Sequence, residues 1–173
     1  MLTIRKAVLS DAESIAQIHA DTWRSAYHSF IPEDFVHDKS KLEARLKMWN
    51  EFLSQDHNNY YVAENEEKIA GFFSISEARD ADLPRDTYEL ISIYFADDCW
   101  HKGYGSIAMR FIIDQAKERG YKKLSLWAFE DNTSAIRFYE RFGFRFDGKR
   151  NLLDFGKTIA ECRYQLQLDE QNT

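Results

Sequence analysis

The sequence is poor in residues that cross-link or interrupt small proteins: its 173 residues include two cysteines, two prolines and seven glycines. Two cysteines without a Cys-x-x-Cys pair argue against a disulfide framework and against a cysteine-based zinc or redox centre. The scarcity of proline and glycine argues against linkers and low-complexity segments. The five histidines are scattered, without the His-Glu-x-x-His spacing of a zinc protease, so we predict no metal site.

Long apolar runs and excess positive charge are also missing. No stretch approaches the roughly 18 apolar residues of a membrane span, and residues 1–10 lack the apolar core of a signal peptide. We therefore expect a cytoplasmic protein with no membrane partner. The net charge of −6 disfavours nucleic acid as a partner. This negative charge either attracts cationic substrates or only keeps the protein in solution.

What is present is the pattern of a folded chain, with 44% hydrophobic and 15% aromatic residues. Periodicity predicts the order β-α-α-β-β-β-α-β-α-β-β. The central strand–helix–strand unit should be a parallel crossover, and the hairpins on either side should be antiparallel. We therefore expect an α/β fold of the mixed α+β kind, a single domain over residues 1–168 with helices on both faces of a mixed sheet. Residues 169–173 would form a short polar tail.

Local signals mark the helix ends. Ser10 and Glu13 have the spacing of a capping box ahead of the first helix. Gly120 and Gly143 stand where a glycine follows the last turn of a helix. Asn132 is a predicted helix N-cap.

The most informative segment is residues 100–106 (WHKGYGS), which follows a predicted strand and begins a helix. A helix start offers unpaired N–H groups and the positive end of the helix dipole to a phosphate, and glycine lets the backbone approach closely. Gly103 and Gly105 fit a simple turn equally well. The segment lacks the Gly-Lys-Ser/Thr end of a nucleotide P-loop and the third glycine of the dinucleotide fingerprint.

Together with residues 132–144 (NTSAIRFYERFGF), this loop resembles the GCN5-related N-acetyltransferase (GNAT) superfamily. Gly103 and Gly105 match the family pattern Arg/Gln-x-x-Gly-x-Gly/Ala, with Trp100 where Arg or Gln is usual. Residues 132–144 (NTSAIRFYERFGF) are similar to the segment Asn-x-x-Ala-x-x-x-Tyr-x-x-x-Gly-Phe at every fixed position. The resemblance covers nearly the whole chain and implies a mostly antiparallel, twisted sheet that is splayed in the middle.

The resemblance implies an enzyme that transfers an acetyl group directly from acetyl-CoA to a primary amine and releases CoA. Three acceptor classes stay open: a polyamine or other small amine, a peptide N-terminus or lysine, and an aminoglycoside-like antibiotic. The excess of acidic over basic residues favours a small cationic amine. Two alternatives are a non-catalytic acyl-CoA-binding sensor or regulatory module and a structural or partner-binding domain. Dimers are common among similar proteins, so a homodimer is a further expectation.

By the same resemblance, Tyr139 is the expected general acid that protonates the CoA thiolate, with a core tyrosine as the alternative. An alkyl amine has a pKa of about 10.4, so a base, or a water chain that ends at another group, must accept its proton near neutral pH. Glu89 is the candidate base facing the acceptor, with a solvated strand-edge glutamate as the alternative. Trp23 and Tyr27 are the expected acceptor-site walls, with core packing as the alternative. The acidic loop at residues 77–86 either attracts a cationic amine or is only solvated.

The expected cofactor-binding residues lie at a strand end, in the glycine loop and in the second motif. They are Tyr94, Phe95, Lys102, Gly103, Tyr104, Gly105, Ser106, Asn132, Ala135 and Tyr139. A backbone N–H near Phe95 is expected to meet the oxyanion. Pantetheine is expected to run between the strand at residues 88–95 and the strand at residues 122–129. Asn132 is expected to contact the cofactor, to cap its helix, or to do both.

Overall fold

The computed structural model describes residues 1–39, 41–55, 59–66 and 68–168. In this part of the chain, the strands are β1 (Leu2–Lys6), β2 (Tyr60–Asn65), β3 (Lys68–Glu77), β4 (Thr87–Phe95), β5 (Lys123–Phe129), β6 (Arg145–Asp154) and β7 (Thr158–Gln167). The helices are α1 (Ala12–Tyr27), α2 (Glu33–Lys39), α3 (Leu42–Leu53), α4 (Tyr104–Glu118) and α5 (Thr133–Arg141). The tail predicted at residues 169–173 lies outside the described residues.

The mixed α/β fold is confirmed. The hydrogen-bonded strand order is β1-β2-β3-β4-β5-β7-β6. The pair β4–β5 is parallel, as predicted for the central crossover, whereas the registers of β1–β2, β2–β3, β5–β7 and β6–β7 are antiparallel. The element order is also as predicted, except for α2. This short helix follows Pro32, whose carbonyl accepts a hydrogen bond from the Val36 N–H at 3.0 Å.

The chain forms two compact units. The first unit comprises residues 1–74 and 92–108, and the second comprises residues 75–91 and the chain from Met109 onward. Strands β3 and β4 and helix α4 each contribute residues to both units. The single domain expected over residues 1–168 stays a prediction.

The core of the first unit is organised around the apolar face of α1. Ala12, Ile15 and Ala16 recur at helical spacing on this face and are buried. Trp49 of α3 and Phe72 of β3 are buried in the same cluster. The core of this unit is therefore assembled from helix and strand residues that lie far apart in the sequence.

The capping box predicted at Ser10 is wrong. Helix α1 begins at Ala12, after a short 3₁₀ turn at Leu9–Asp11. The Asp11 carboxylate accepts hydrogen bonds from the Val8 N–H at 2.8 Å and from Arg5 Nη1 at 2.7 Å. This ion pair with β1 fixes the chain ahead of α1 and displaces the expected serine cap.

Three other predicted helix ends are confirmed. The Gly120 N–H bonds the Lys117 carbonyl at 2.9 Å and the Tyr121 N–H bonds the Ala116 carbonyl at 3.0 Å, which closes α4 in a Schellman motif. Gly143 closes α5 in the same way, with its N–H on the Glu140 carbonyl at 3.0 Å. Asn132 caps α5, because its Oδ1 accepts from the Ala135 N–H at 3.2 Å.

A side-chain cluster in the second unit holds the acidic loop in place. The Arg163 side chain on β7 is only 6% exposed and forms ion pairs with Asp80, Asp82 and Asp147 at 2.7–3.1 Å. Its guanidinium lies 5.7 Å from the centre of the Trp127 ring, and the Trp127 indole N–H donates to Asp80 at 2.9 Å. These acidic-loop carboxylates are therefore ion-paired within the protein.

We expect Arg163→Met to lower the free energy of unfolding by about 2–4 kcal/mol, because it leaves the partly buried carboxylates of Asp80 and Asp147 without their counter-charge. Burial alone would raise the pKa of Asp147, but hydrogen bonds from the Lys149 N–H, Arg163 and Gln165 lower it. A carboxyl with a depressed pKa stabilises the folded state above its ordinary value of 3.8 and loses that effect as the pH falls further. The deficit of the variant should therefore shrink in acid.

Urea unfolding between neutral pH and about pH 3 measures both effects. Arg150→Met is the matched control. Its ion pair with Glu130 is half exposed on both sides, at 47% and 49%, so little change is expected. Equal stabilities of the wild type and Arg163→Met would contradict a stabilising role for the ion pairs of Arg163.

Candidate functional site

The glycine loop leads directly into the N-terminus of α4. Gly103 precedes the helix with φ of +81°, and its carbonyl accepts the N–H groups of Ser106 and Ile107 at 3.1 and 3.2 Å. The N–H groups of Tyr104 and Gly105 belong to the first turn, where no earlier helical carbonyl is available. Apart from Gly103 and its chain neighbours, no heavy atom of the described residues lies within 4 Å of the place where a Cβ on Gly103 would stand. The exposed helix start therefore has the kind of donor groups that bind a phosphate.

Trp100 fixes the start of the loop. Its indole N–H donates to the Phe95 carbonyl at 2.8 Å, and the Thr22 hydroxyl donates to the same oxygen at 3.4 Å. Gly71 of β3 makes this arrangement possible, because a Cβ there would lie 2.6 Å from the Tyr94 carbonyl oxygen and overlap the Phe95 ring. Trp100, which stands where the family pattern has Arg or Gln, therefore anchors the loop to the end of β4.

The pairing and the burial of β4 both change along the strand. Its parallel register with β5 runs from the pair Thr87–Lys123 to the pair Leu90–Leu126, which covers the first four of its nine residues. Thr87, Tyr88, Glu89 and Leu90 are all buried. From Ile91, which is 38% exposed, to Tyr94 the residues are at least partly exposed. The predicted backbone contacts of Tyr94 and Phe95 with the cofactor stay predictions.

The predicted acceptor residues lie in an aromatic cluster of the first unit. Trp23 and Tyr27 on α1 pack edge to face, with ring centres 4.8 Å apart. The Tyr27 hydroxyl donates to the Tyr94 hydroxyl at 3.3 Å, and the His19 ring lies 5.0 Å from the Tyr94 ring. The side chain of Tyr94, which was predicted as a cofactor contact, is thus part of the cluster that holds Trp23 and Tyr27. Burial raises the pKa of Tyr94, despite the hydrogen bond from Tyr27.

His19 is a neutral member of this cluster. The Trp49 indole N–H donates to His19 Nδ1 at 3.1 Å, so the ring hydrogen of His19 is carried by Nε2. Burial, together with the nearby charge of Arg45, lowers the pKa of His19 to about 3. At neutral pH His19 therefore adds no charge to the cluster.

Arg45 of α3 supplies the positive charge, and sequence reasoning missed it. Its guanidinium carbon lies 5.3 Å from the centre of the Trp23 ring, and its Nε donates to the Lys39 carbonyl at 2.6 Å. Burial lowers the pKa of Arg45, although arginine stays protonated near neutral pH. The signal was available, because Arg45 falls three residues after Leu42 and four before Trp49, on the apolar stripe of α3.

Glu89 lies in the second unit and is only 2% exposed, so the alternative of a solvated strand-edge glutamate is wrong. Arg79 donates to its Oε2 from the backbone N–H at 2.9 Å and from Nε at 3.1 Å, and to its Oε1 from Nη2 at 2.6 Å. The Glu89 carboxylate raises the pKa of Arg79. Both oxygens of Glu89 therefore accept hydrogen bonds from Arg79, a partner that the sequence did not indicate.

Tyr139 also lies in the second unit, on α5. Its ring is half-buried and packs edge to face with Phe138 at 5.5 Å and with Phe144 at 6.0 Å. Asn132 caps the same helix by accepting the N–H of Ala135. The helix-cap role of Asn132 is thus confirmed, whereas the cofactor roles of Asn132, Ala135 and Tyr139 stay predictions.

A groove of about 1150 Å³ crosses the outer surface of α1 in the first unit. Its acidic residues include Asp11, Asp21 and Asp98, which pair with Arg5, Arg24 and Lys68. None of the predicted site residues lines this groove. In the acidic loop, Asp80 and Asp82 are likewise bound to a cation, Arg163.

In the described part of the chain, no helix is both long and apolar enough to cross a membrane. Within the same residues, no cluster of three or more His, Cys, Asp or Glu side chains is arranged to hold a metal ion.

The model of the acetyltransferase (GNAT) family matches residues 14–144. The chain is 30% identical over 143 residues to the uncharacterized N-acetyltransferase YuaI of Bacillus subtilis, which covers 82% of this chain and 79% of the relative. An N-acetyltransferase structure from Staphylococcus aureus Mu50 superposes with a TM-score of 0.75 at 23% identity, covering 98% of this chain and 99% of the other. The structure of yncA from Salmonella typhimurium with its cofactor acetyl-CoA superposes with a TM-score of 0.71 at 23% identity, covering 100% and 97%.

The two ends of α4 provide a matched test of the glycine loop. Gly103 and Gly120 both have φ of +81° and open space at the Cβ position. An alanine at either site should lower the free energy of unfolding by about 1–2 kcal/mol, because the left-handed region disfavours a Cβ. We expect only Gly103→Ala to weaken binding of acetyl-CoA, by about tenfold or more, because only that end is predicted to bind phosphate.

Calorimetric titration with acetyl-CoA measures the affinity, and thermal unfolding checks that the two variants are equally destabilised. Equal affinities of Gly103→Ala and Gly120→Ala for acetyl-CoA would contradict the assignment of the loop.

Proposed function

Because the chain belongs to the acetyltransferase (GNAT) family, we propose that it transfers the acetyl group of acetyl-CoA directly to the nitrogen of a small primary amine. The observation that carries the proposal is the start of α4, where a glycine in the left-handed region leads into unpaired N–H groups. Acetyl-CoA is the donor in this family, and the negative charge of its pyrophosphate is complementary to the positive end of the α4 dipole.

Acetyl-CoA supplies an acetyl thioester, whose C–S bond breaks as the amide C–N bond forms. Residues 102–106 would hold the pyrophosphate through backbone N–H groups, with the exposed Lys102 adding positive charge. Trp100 keeps this loop against the end of β4 through its bond to the Phe95 carbonyl. The backbone of Tyr94 and Phe95 would contact the pantetheine and the acetyl oxygen.

Tyr139 is the proposed general acid. Its phenol would give its proton to the departing sulfur, so that the thiolate does not leave as an unprotonated anion. Support comes from the match of residues 132–144 to the family segment and from α5, whose two ends are fixed by Asn132 and Gly143. A capped helix holds the tyrosine in one position, as proton transfer requires.

Glu89 is the proposed general base for the acceptor amine. It is a buried carboxylate on β4, and Arg79 is its partner at 2.6 Å. Arg79 donates two hydrogen bonds to Oε2 and one to Oε1. Oε1 therefore keeps a lone pair with which it would accept the amine proton.

The acceptor is proposed as a small molecule. The excess of acidic residues favours a cationic amine or a polyamine, but the loop that suggested such a substrate has two of its carboxylates bound to Arg163. The cytoplasmic location and the homodimer stay predictions.

Replacing Tyr139 by phenylalanine distinguishes an enzyme from a non-catalytic acyl-CoA sensor. We expect Tyr139→Phe to lower kcat by about 10²-fold or more while acetyl-CoA still binds, because only the proton donor is lost. Thiol release over a panel of amines measures turnover, and calorimetry measures acetyl-CoA binding.

Tyr121→Phe is the control. Tyr121 is a second-unit tyrosine that stacks on Tyr88 at 4.4 Å and has no proposed role in transfer. A wild-type protein that binds acetyl-CoA but acetylates no amine would support the sensor, and an active Tyr139→Phe would refute the acid role.

Glu89→Gln tests the base. We expect kcat near neutral pH to fall by about 10²-fold with little change in the KM for acetyl-CoA. Activity should recover toward pH 10, because the acceptor amine then loses its proton without help. A purely structural role for Glu89 predicts a loss that high pH does not repair, so the pH profile of kcat decides between the two.

A further inference from the structure

The guanidinium of Arg45 is the least satisfied charge in the aromatic cluster. Its Nη2 is buried, and no hydrogen-bond acceptor contacts it among the residues that the structure describes. Its Nε is already used by the Lys39 carbonyl. In the described ranges, no carboxylate forms an ion pair with Arg45. A buried donor that carries charge and has no partner opposes folding, so such groups are rare unless a ligand completes them.

Among the residues that the structure describes, the surroundings of Arg45 do not neutralise its charge. The groups that interact with its charge most strongly are the phenols of Tyr94 and Tyr27, which are uncharged near neutral pH. His19 stays neutral for the reasons given above, and the Trp23 ring stabilises the cation without pairing its N–H groups. The cluster thus combines one fixed positive charge with a wall of aromatic rings.

The position of this charge coincides with the predicted acceptor residues. Arg45 lies against Trp23, and Trp23 packs on Tyr27. A guanidinium prefers a planar carboxylate, which accepts its N–H groups as a charge-assisted pair. A polyamine would instead bring further positive charge to a cation that is already unpaired.

We propose that Arg45 binds a carboxylate of the acceptor, so that the substrate is a small amino acid that carries both a primary amine and a carboxylate. This inference rests on the proposed acetyl transfer. Arg45 is a specificity residue and takes no part in proton transfer. The aromatic rings of Trp23 and Tyr27 contact the apolar part of the same molecule.

Matched acceptors test the proposal on the wild-type protein. Each set contains an amino acid, its carboxamide and its decarboxylated amine, and spermidine is added as the polyamine. We expect kcat/KM for the best amino acid to exceed that for its carboxamide and its decarboxylated amine by about 30-fold or more. A preference for the decarboxylated amine or for spermidine would overturn the proposal, although acetyl transfer itself would stand.

Variants of Arg45 then test whether this residue causes the preference for the amino acid. Arg45→Met should lower kcat/KM for the amino acid by about 10²-fold and for the decarboxylated amine by less than about threefold. Arg45→Lys, which keeps the charge, should retain part of the preference. Arg24→Met is the control, since it removes an exposed positive charge from α1 in the same unit. An equal loss on both acceptors in Arg45→Met and Arg45→Lys would overturn the assignment.

A binding measurement separates this inference from the proposed function. We expect the amino acid to raise the melting temperature of the wild type and of Arg24→Met, but not of Arg45→Met. If acetyl-CoA binds and no acceptor is acetylated, the transfer proposal fails whatever the melting temperatures show. If amines are acetylated and the amino acid stabilises the wild type and Arg45→Met equally, only the inference about Arg45 fails.

Discussion

One carbonyl group at the end of β4 connects three segments of the first unit. The Phe95 oxygen accepts the indole N–H of Trp100 and the hydroxyl of Thr22, so one atom ties the strand to the glycine loop and to α1. Gly71 leaves the room that this arrangement needs. The loop that would bind phosphate and the helix that carries Trp23 are both hydrogen-bonded to this oxygen. A shift of β4 would therefore move both.

Much of the fold was predictable, because it is encoded by local signals. Gly120, Gly143 and Asn132 act within one helical turn of their own positions, so their roles as caps could be inferred from spacing. Ser10 failed as a cap because Asp11 is bound by Arg5 of β1. A short sequence window carries no information about that contact.

In the candidate site, too, local features were predictable and long-range contacts were not. The glycine loop was predictable because its residues are contiguous, and the family segment at residues 132–144 has a fixed spacing. The partners of the charged groups were not predictable, since Arg79–Glu89 and Arg163–Asp80 join residues 10 and 83 positions apart. The position of Arg45 on the apolar stripe of α3 was visible in the sequence, but its contact with Trp23, a residue of another helix, was not.

The neutrality of His19 has a consequence for the conditions under which the protein works. Since its pKa is depressed to about 3, the cluster around Trp23 and Tyr27 carries the same charge in a mildly acidic cell as in an alkaline one. Arginine does not titrate over that range either. The charge of the proposed acceptor site is therefore insensitive to pH over this range, and any pH dependence of transfer would come from the substrate and from the groups that exchange protons with it.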